Sequence, residues 1–168
     1  DAPPLHPSHP ATGCLDTMGF EQISLKGRAL RYLAGREHSR LELTRKLAPH
    51  EAHPGEIEAV LDELQAKGYI SEARVAASVV HRRAPKLGTA RVRQELQSKG
   101  LPPELVAQTV AELRQSEQAR AQDVWRRKFD APPQNPQETV KQMRFLISRG
   151  FAPDVVRRVV AAAGQTDD

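Results

Sequence analysis

Gly100-Leu101-Pro102-Pro103-Glu104 and Gly150-Phe151-Ala152-Pro153-Asp154 are one device written twice, fifty residues apart. Glycine closes a helix in the left-handed conformation and proline tolerates the first turn of the next. Each copy therefore reads as helix end, tight turn, helix start. The apolar residues around the device keep step with it: Leu96, Val106 and Val110 recur as Leu146, Val156 and Val160. Moved forward by 49 positions, Leu43, Leu47, Ile57, Leu61 and Leu64 fall on Val92, Leu96, Val106, Val110 and Leu113. Ser71-Glu72 through Val79 likewise matches Ser116-Glu117 through Val124. A period of about 45–50 residues is longer than the 34 of tetratricopeptide repeats and leaves room for three helices per unit. No stretch alternates apolar and polar residues as a half-buried strand does. The predicted fold is all-α: three tandem three-helix, helix-turn-helix-like repeats in an elongated, curved array.

Local signals divide the chain further. Residues 1–22 hold Pro3, Pro4, Pro7 and Pro10 with little to bury, and are expected to form a disordered N-terminal tail. The three repeats are expected over 23–70, 71–115 and 116–168. Nine helices are predicted. The first spans 25–34, and the second opens on the capping box Ser39-Arg40-Leu41-Glu42. Others run from Pro54 to Gly68, from Ser71 to Pro85, and from Thr89 to Gly100. Two more cover 102–115 and 116–129, and the last two end at Gly150 and Ala163. Tyr69, after Gly68, is expected as a hydrophobic stop, and Trp125 as a core plug of the third unit.

Composition excludes several function classes. Aromatic residues are 4% and apolar residues 39% of the chain. That suits thin layers of small helices rather than one thick core. No run approaches the roughly 18 apolar residues of a membrane span, and no secretory signal is visible. The single cysteine, Cys14, rules out an intramolecular disulfide and a cysteine-based zinc site. A reduced, cytoplasmic setting is expected. Neither phosphate-binding glycine signature, G-x-x-x-x-G-K-[ST] or G-x-G-x-x-G, is present. His50 and His53, like His6 and His9, are pairs without a firm third ligand. No catalytic residue, metal site or cofactor is expected, and hence no enzyme.

Charge is uneven along the chain. Residues 1–70 hold 8 Lys/Arg and 10 Asp/Glu, whereas 71–168 hold 17 and 11. The excess gathers in Arg74, Arg82, Arg83, Lys86, Arg91 and Arg93, and again in Arg126, Arg127, Lys128, Lys141, Arg144 and Arg149. Clustered like charge repels itself and attracts a polyanion, most commonly nucleic acid. Arg74, Ser78, His81 and Arg82 share one stripe of their helix, and Lys141, Arg144 and Ser148 another. The helix start Gly88-Thr89-Ala90-Arg91 offers free amides to a phosphate, with simple capping by Thr89 as the alternative. Arg120, Asp123 and Arg127 are spaced for ion pairs within one helix. With few aromatic side chains, nucleic-acid binding is expected to be mostly electrostatic and steeply salt-dependent.

Ser39-Arg40-x-Glu42-Leu43, Gly68-Tyr69-Ile70-Ser71-Glu72-Ala73-Arg74-Val75-Ala76 and Arg91-Val92-Arg93-Gln94-Glu95-Leu96-x-x-Lys99-Gly100 resemble the RecX family, regulators of the RecA recombinase. So do Arg126-Arg127-Lys128-Phe129 and Arg144-Phe145-Leu146-x-x-Arg149-Gly150-Phe151. The likeness covers about 25–163, and its specificity lies in the order and spacing of these segments. Two positions depart from the pattern: Val75 stands where an aromatic is usual, and Thr89-Ala90 where a proline or basic residue is usual. The resemblance implies three three-helix repeats without catalytic activity. It implies binding in the groove of the RecA–single-stranded DNA filament, bridging neighbouring protomers. RecA's ATPase, strand exchange and co-protease activities would be inhibited, which places the chain in DNA recombination, DNA repair and the SOS response. The family's basic face maps onto Arg74, Arg82, Arg91, Arg93, Arg144 and Arg149. Because the first unit is acidic, RecA contacts are expected across units one and two, and single-stranded DNA or filament-groove contacts on units two and three, with double-stranded DNA as a further partner. A monomer is expected, with no membrane partner. Two other functions stay open: a helix-turn-helix protein that reads double-stranded DNA, and a helical scaffold for an acidic protein.

Overall fold

The computed structural model describes residues 22–165, and within them the chain forms eight α-helices, one short 3-10 turn and no strand. The helices are α1 (Leu25–Gly35), α2 (Arg40–Leu47), α3 (Glu56–Ala66), α4 (Glu72–Arg83), α5 (Thr89–Ser98), α6 (Pro103–Lys128), α7 (Pro136–Ser148) and α8 (Pro153–Ala163). The expected tail, but for Gln22, lies outside the described residues, as does Cys14. Three separate apolar cores follow one another along the chain. The first is built by α1–α3, the second by α4, α5 and the front of α6, the third by the rear of α6 with α7 and α8. Every apolar position paired by the repeat is buried. The offsets in the sequence are thus the register of one packing scheme used three times.

The punctuation works as its chemistry requires. Gly100 and Gly150 take φ of 69° and 92°, and Pro103 and Pro153 open the next helices. Ser39 caps α2 in a complete capping box: its hydroxyl accepts from Glu42 N, and the Glu42 carboxylate accepts from Ser39 N. Two expectations change. Residues 102–115 and 116–129 do not form two helices but the single 26-residue α6, about 39 Å long. Ser116 resembles a cap, but no glycine or proline breaks the chain there. Its hydroxyl instead bonds back to Leu113 O while accepting from Arg120. Tyr69 is 52% exposed; Ile70, at 2%, is the stop. The amides of both residues converge on Leu64 O, and this turn carries Ile70 inward. Trp125 packs against the third core as expected, with its indole N–H donating to Gln142 at 2.8 Å.

The two junctions between units differ in kind. Unit 1 meets unit 2 through the ion pairs Glu37–Arg74 (2.9 Å) and Glu42–Lys99 (3.1 Å), with Leu41 lying against Gly100. Unit 2 meets unit 3 backbone to backbone as well as through the shared α6. Gly88 N donates to Arg149 O at 2.8 Å and Ala90 N to Gly150 O at 3.2 Å. A Cβ on Gly88 would lie 2.2 Å from the Gly150 carbonyl. Beneath this contact Arg120 fans out to Ala84 O, Leu87 O, Leu113 O and the Thr89 hydroxyl. The buried Glu117 carboxylate accepts from Thr89 N and Ala152 N, at the starts of α5 and α8, where the helix dipoles favour a negative charge.

Candidate functional site

The tight unit 2–unit 3 junction opens on one side into a cleft of about 360 Å³. Arg83 and Lys86 come from the end of α4 and the turn after it, Arg127 and Lys128 from the last turn of α6, and Arg149 from the end of α7. Basic side chains at helix C-termini complement the negative end of the dipole, which explains why this chemistry gathers there. Leu87, Val124 and Phe145 form an apolar floor, and no carboxylate lines the cleft. Glu95, outside the cleft, holds Arg83 at 2.9 Å. Arg127 is pinned by Asp123 O and Pro85 O. Lys128 Nζ and Arg149 Cζ stand 5.5 and 4.9 Å from the centre of the Phe145 ring.

The twelve basic residues predicted from sequence are all exposed, but they are not one surface. Five meet in the cleft. Arg74 is committed to Glu37 and Gly68 O, which ties unit 2 to unit 1. Arg91 packs on Gly150 and donates to Ser148 O at 2.9 Å, as a strut between units 2 and 3. Arg126 pairs loosely with Asp123 at 3.6 Å on the cleft's outer side. Arg82, Arg93, Lys141 and Arg144 have no hydrogen-bond or ion-pair partner for their side chains among the described residues. Lys141 stands one turn before Phe145 on the same stripe of α7. Arg93 lies apart, in a separate groove between α5 and α6 that it shares with Arg114.

Three local expectations are corrected. The start of α5 is no free phosphate cradle: the amides of Gly88, Thr89 and Ala90 are taken by Arg149 O, Glu117 and Gly150 O. Thr89 does not cap the helix; Gly88 is the N-cap, and the Thr89 hydroxyl accepts from Arg120. Arg120 is no surface ion pair with Asp123, because it is the hub of the junction. Burial lowers the Arg120 guanidinium from its ordinary value, and Glu117 offsets part of that. The cleft floor is not apparent from the sequence: Phe145 packs partly against the third core and also lines the cleft. Its repeat counterparts carry the missed signal: they are Glu95 and Lys46, both polar.

Comparison with known proteins agrees with this architecture. Models of the RecX family match in three places: the first three-helix domain over residues 26–64, the second over 71–110 and the third over 115–160. The Regulatory protein RecX of Leptothrix cholodnii is 58% identical over 147 residues, covering 88% of this chain and 94% of that one. That of Ralstonia nicotianae is 49% identical over 143 residues, covering 85% and 90%. The crystal structure of RecX from Lactobacillus salivarius superposes with a TM-score of 0.73 at 16% identity, over 84% of this chain and 95% of that one, a likeness of fold. With three units matched in order and such relatives aligned over most of its length, the chain belongs to the RecX family.

Proposed function

We propose that this chain binds the RecA–single-stranded DNA filament and restrains RecA, lowering its ATPase, strand-exchange and co-protease activities. It acts by occupancy, as a cytoplasmic monomer without a cofactor. Units 1 and 2 face RecA, and units 2 and 3 face the DNA. Family membership and the regulatory name of its relatives support a role in RecA regulation. The observation that carries the DNA side is the cleft, where five cations converge and no carboxylate lines the wall. Such an arrangement raises the local potential for a phosphate backbone. The duplex-reading alternative needs a helix free to enter a groove. The start of α5, its best candidate, is bonded into the junction.

The test is RecA's single-stranded-DNA-dependent ATP hydrolysis, titrated with this protein, using RecA from the same source. Inhibition is expected for the wild type. The Lys86→Glu/Lys128→Glu variant should need about tenfold more protein, since two lost phosphate contacts weaken a salt-dependent complex. Inhibition well below one protein per RecA marks end-capping or cooperative disruption, and inhibition near equal amounts marks groove occupancy. An unchanged ATPase rejects the function. DNA binding without inhibition would then point to a DNA-binding protein, and no DNA binding at low salt to a scaffold.

A further inference from the structure

We infer that the cleft between units 2 and 3 holds one nucleotide of a single strand, its base on the Leu87–Val124–Phe145 floor and its neighbouring phosphates on the rim cations. This rests on the function proposed above and names what the DNA-facing surface recognises.

A surface that only neutralised phosphates would need no apolar floor. Here the part-exposed Leu87 and Phe145, with the buried Val124, line a cleft between five cations. The repeat does not require the aromatic among them. The core leucines Leu47, Leu96 and Leu146 are buried in all three units. The residue just before each is Lys46, Glu95 and Phe145, so the repeat packs equally well with a polar side chain there. The cations over the ring have alternatives open to them. Lys128 and Arg149 contact the Phe145 ring but make no side-chain hydrogen bond or ion pair among the described residues. An incoming phosphate offers each a charge-assisted bond in place of a cation–π contact, and their movement uncovers the ring. The guanidinium plane of Arg149 is itself a surface on which a base stacks. Arg83 pairs with Glu95 and Arg127 donates to two backbone carbonyls, which keeps both at the rim. The volume, about 360 Å³, is of small-ligand size. A duplex keeps its bases paired and stacked, so it offers this cleft phosphates alone.

The chain carries its own reporter. Trp125, the single tryptophan, lies 6.3 Å from the Phe129 ring, which meets Phe145 edge-on at 5.5 Å. A base seated on Phe145 perturbs this relay.

The experiment measures affinity of the full chain for three labelled probes of equal length: oligothymidine, a fully abasic strand and a duplex. Fluorescence anisotropy gives the affinities and Trp125 emission is followed in parallel. Oligothymidine is expected to bind about tenfold more tightly than the abasic strand, as base–aromatic stacking gives. It alone among the three is expected to shift Trp125 emission. Phe145→Leu should bring the preference below about twofold. Lys86→Ala should weaken both single strands equally. Equal affinity of the wild type for the base-bearing and abasic strands overturns the inference, whether or not the Phe145 variant folds. So does a preference that survives Phe145→Leu in a protein with unchanged helicity, or an absence of binding to all three probes. RecA inhibition without base preference rejects the nucleotide cleft alone; base preference without RecA inhibition rejects the proposed function alone.

Discussion

Glu42 gathers more of unit 1's chemistry than any local pattern announces. Its carboxylate closes the capping box on Ser39 N, holds Arg36 at 2.7 Å and reaches across to Lys99 of unit 2 at 3.1 Å. Burial pushes this carboxyl up. The Arg36 guanidinium, the Ser39 amide and the Lys99 ammonium outweigh it and hold it down to about 2. A folded-state value below the ordinary 4.5 means that the stabilisation is complete above pH 4.5. It is lost as pH falls from there to about 2. Glu42→Ala is expected to cost about 1–2 kcal/mol at neutral pH, in the range of a lost cap. It should also flatten the fall in the urea midpoint across that acid window. An unaltered acid limb would show that Glu42 does not hold the unit. His38 acts over a higher range. Its Nδ1 faces Arg36 O and so carries the hydrogen, leaving Nε2 buried without a partner. Burial lowers its pKa from 6.5, so the unfolded chain takes up the proton first and stability declines as pH falls below 6.5. The capping box is legible because Ser39 and Glu42 stand three residues apart. Lys99 is 57 positions away from Glu42, and nothing local pairs them.

At the scale of elements, the turn before α5 and the turn before α8 lean on each other through glycine. Gly88 has φ −73°, which any residue adopts, so its requirement is space alone. A methyl group there meets the Gly150 backbone at 2.2 Å, and backbone does not step aside. Gly88→Ala is therefore expected to lose about 1–3 kcal/mol, as overpacking does. Gly35 is the contrast: it ends α1, and a Cβ there meets nothing within 4 Å. Gly35→Ala is expected to gain about 0.5–1 kcal/mol from helix propensity. Thermal unfolding of the two variants checks both signs, and a neutral Gly88→Ala would dismiss the close junction. Both glycines are plain in the sequence, but only the approach of the α7–α8 turn separates a replaceable glycine from an obligatory one. The fusion of two expected helices into α6 teaches the same point. Ser116 and Glu117 carry a start signal, yet the chain continues: the Ser116 hydroxyl bonds within the helix to Leu113 O, and the Glu117 carboxylate accepts from Thr89 N and Ala152 N outside it.

At the scale of the whole molecule, the chain is one stiff joint and one soft joint. Units 2 and 3 share α6, interlock through Gly88 and Gly150, and are bolted by Arg120 and Glu117. Unit 1 shares no helix with unit 2 and is held by the exposed pair Glu37–Arg74, the more buried pair Glu42–Lys99 and the contact of Leu41 with Gly100; the exposed pair contributes little and weakens in salt. Raising salt from about 0.05 to about 0.5 M is expected to broaden the distance distribution between labels at Arg45→Cys and Arg114→Cys. The distribution between Arg114→Cys and Arg157→Cys should stay fixed, with Cys14→Ser in both proteins. Distributions that respond alike, or not at all, would contradict the two-joint description. Such a build would suit the proposed binding to a filament, with units 2 and 3 presenting a fixed cleft and unit 1 free to adjust beside it.

The sequence by itself determined the helical class, the three cores and the turns between helices that glycine or proline marks. Those features rest on apolar spacing, capping pairs and Gly–Pro punctuation, whose partners stand within a few residues of one another. It also determined that the second and third units are basic. Which cations are free to act was decided only in three dimensions. Arg91 answers Ser148 O, 57 positions away, Arg127 answers Pro85 O, 42 away, and Arg83 finds Glu95, 12 away. A charged side chain commits itself to whatever the folded backbone brings within hydrogen-bond reach. The division of the twelve cations into struts, a basic cleft and unpartnered side chains is therefore a property of the packed junctions between units.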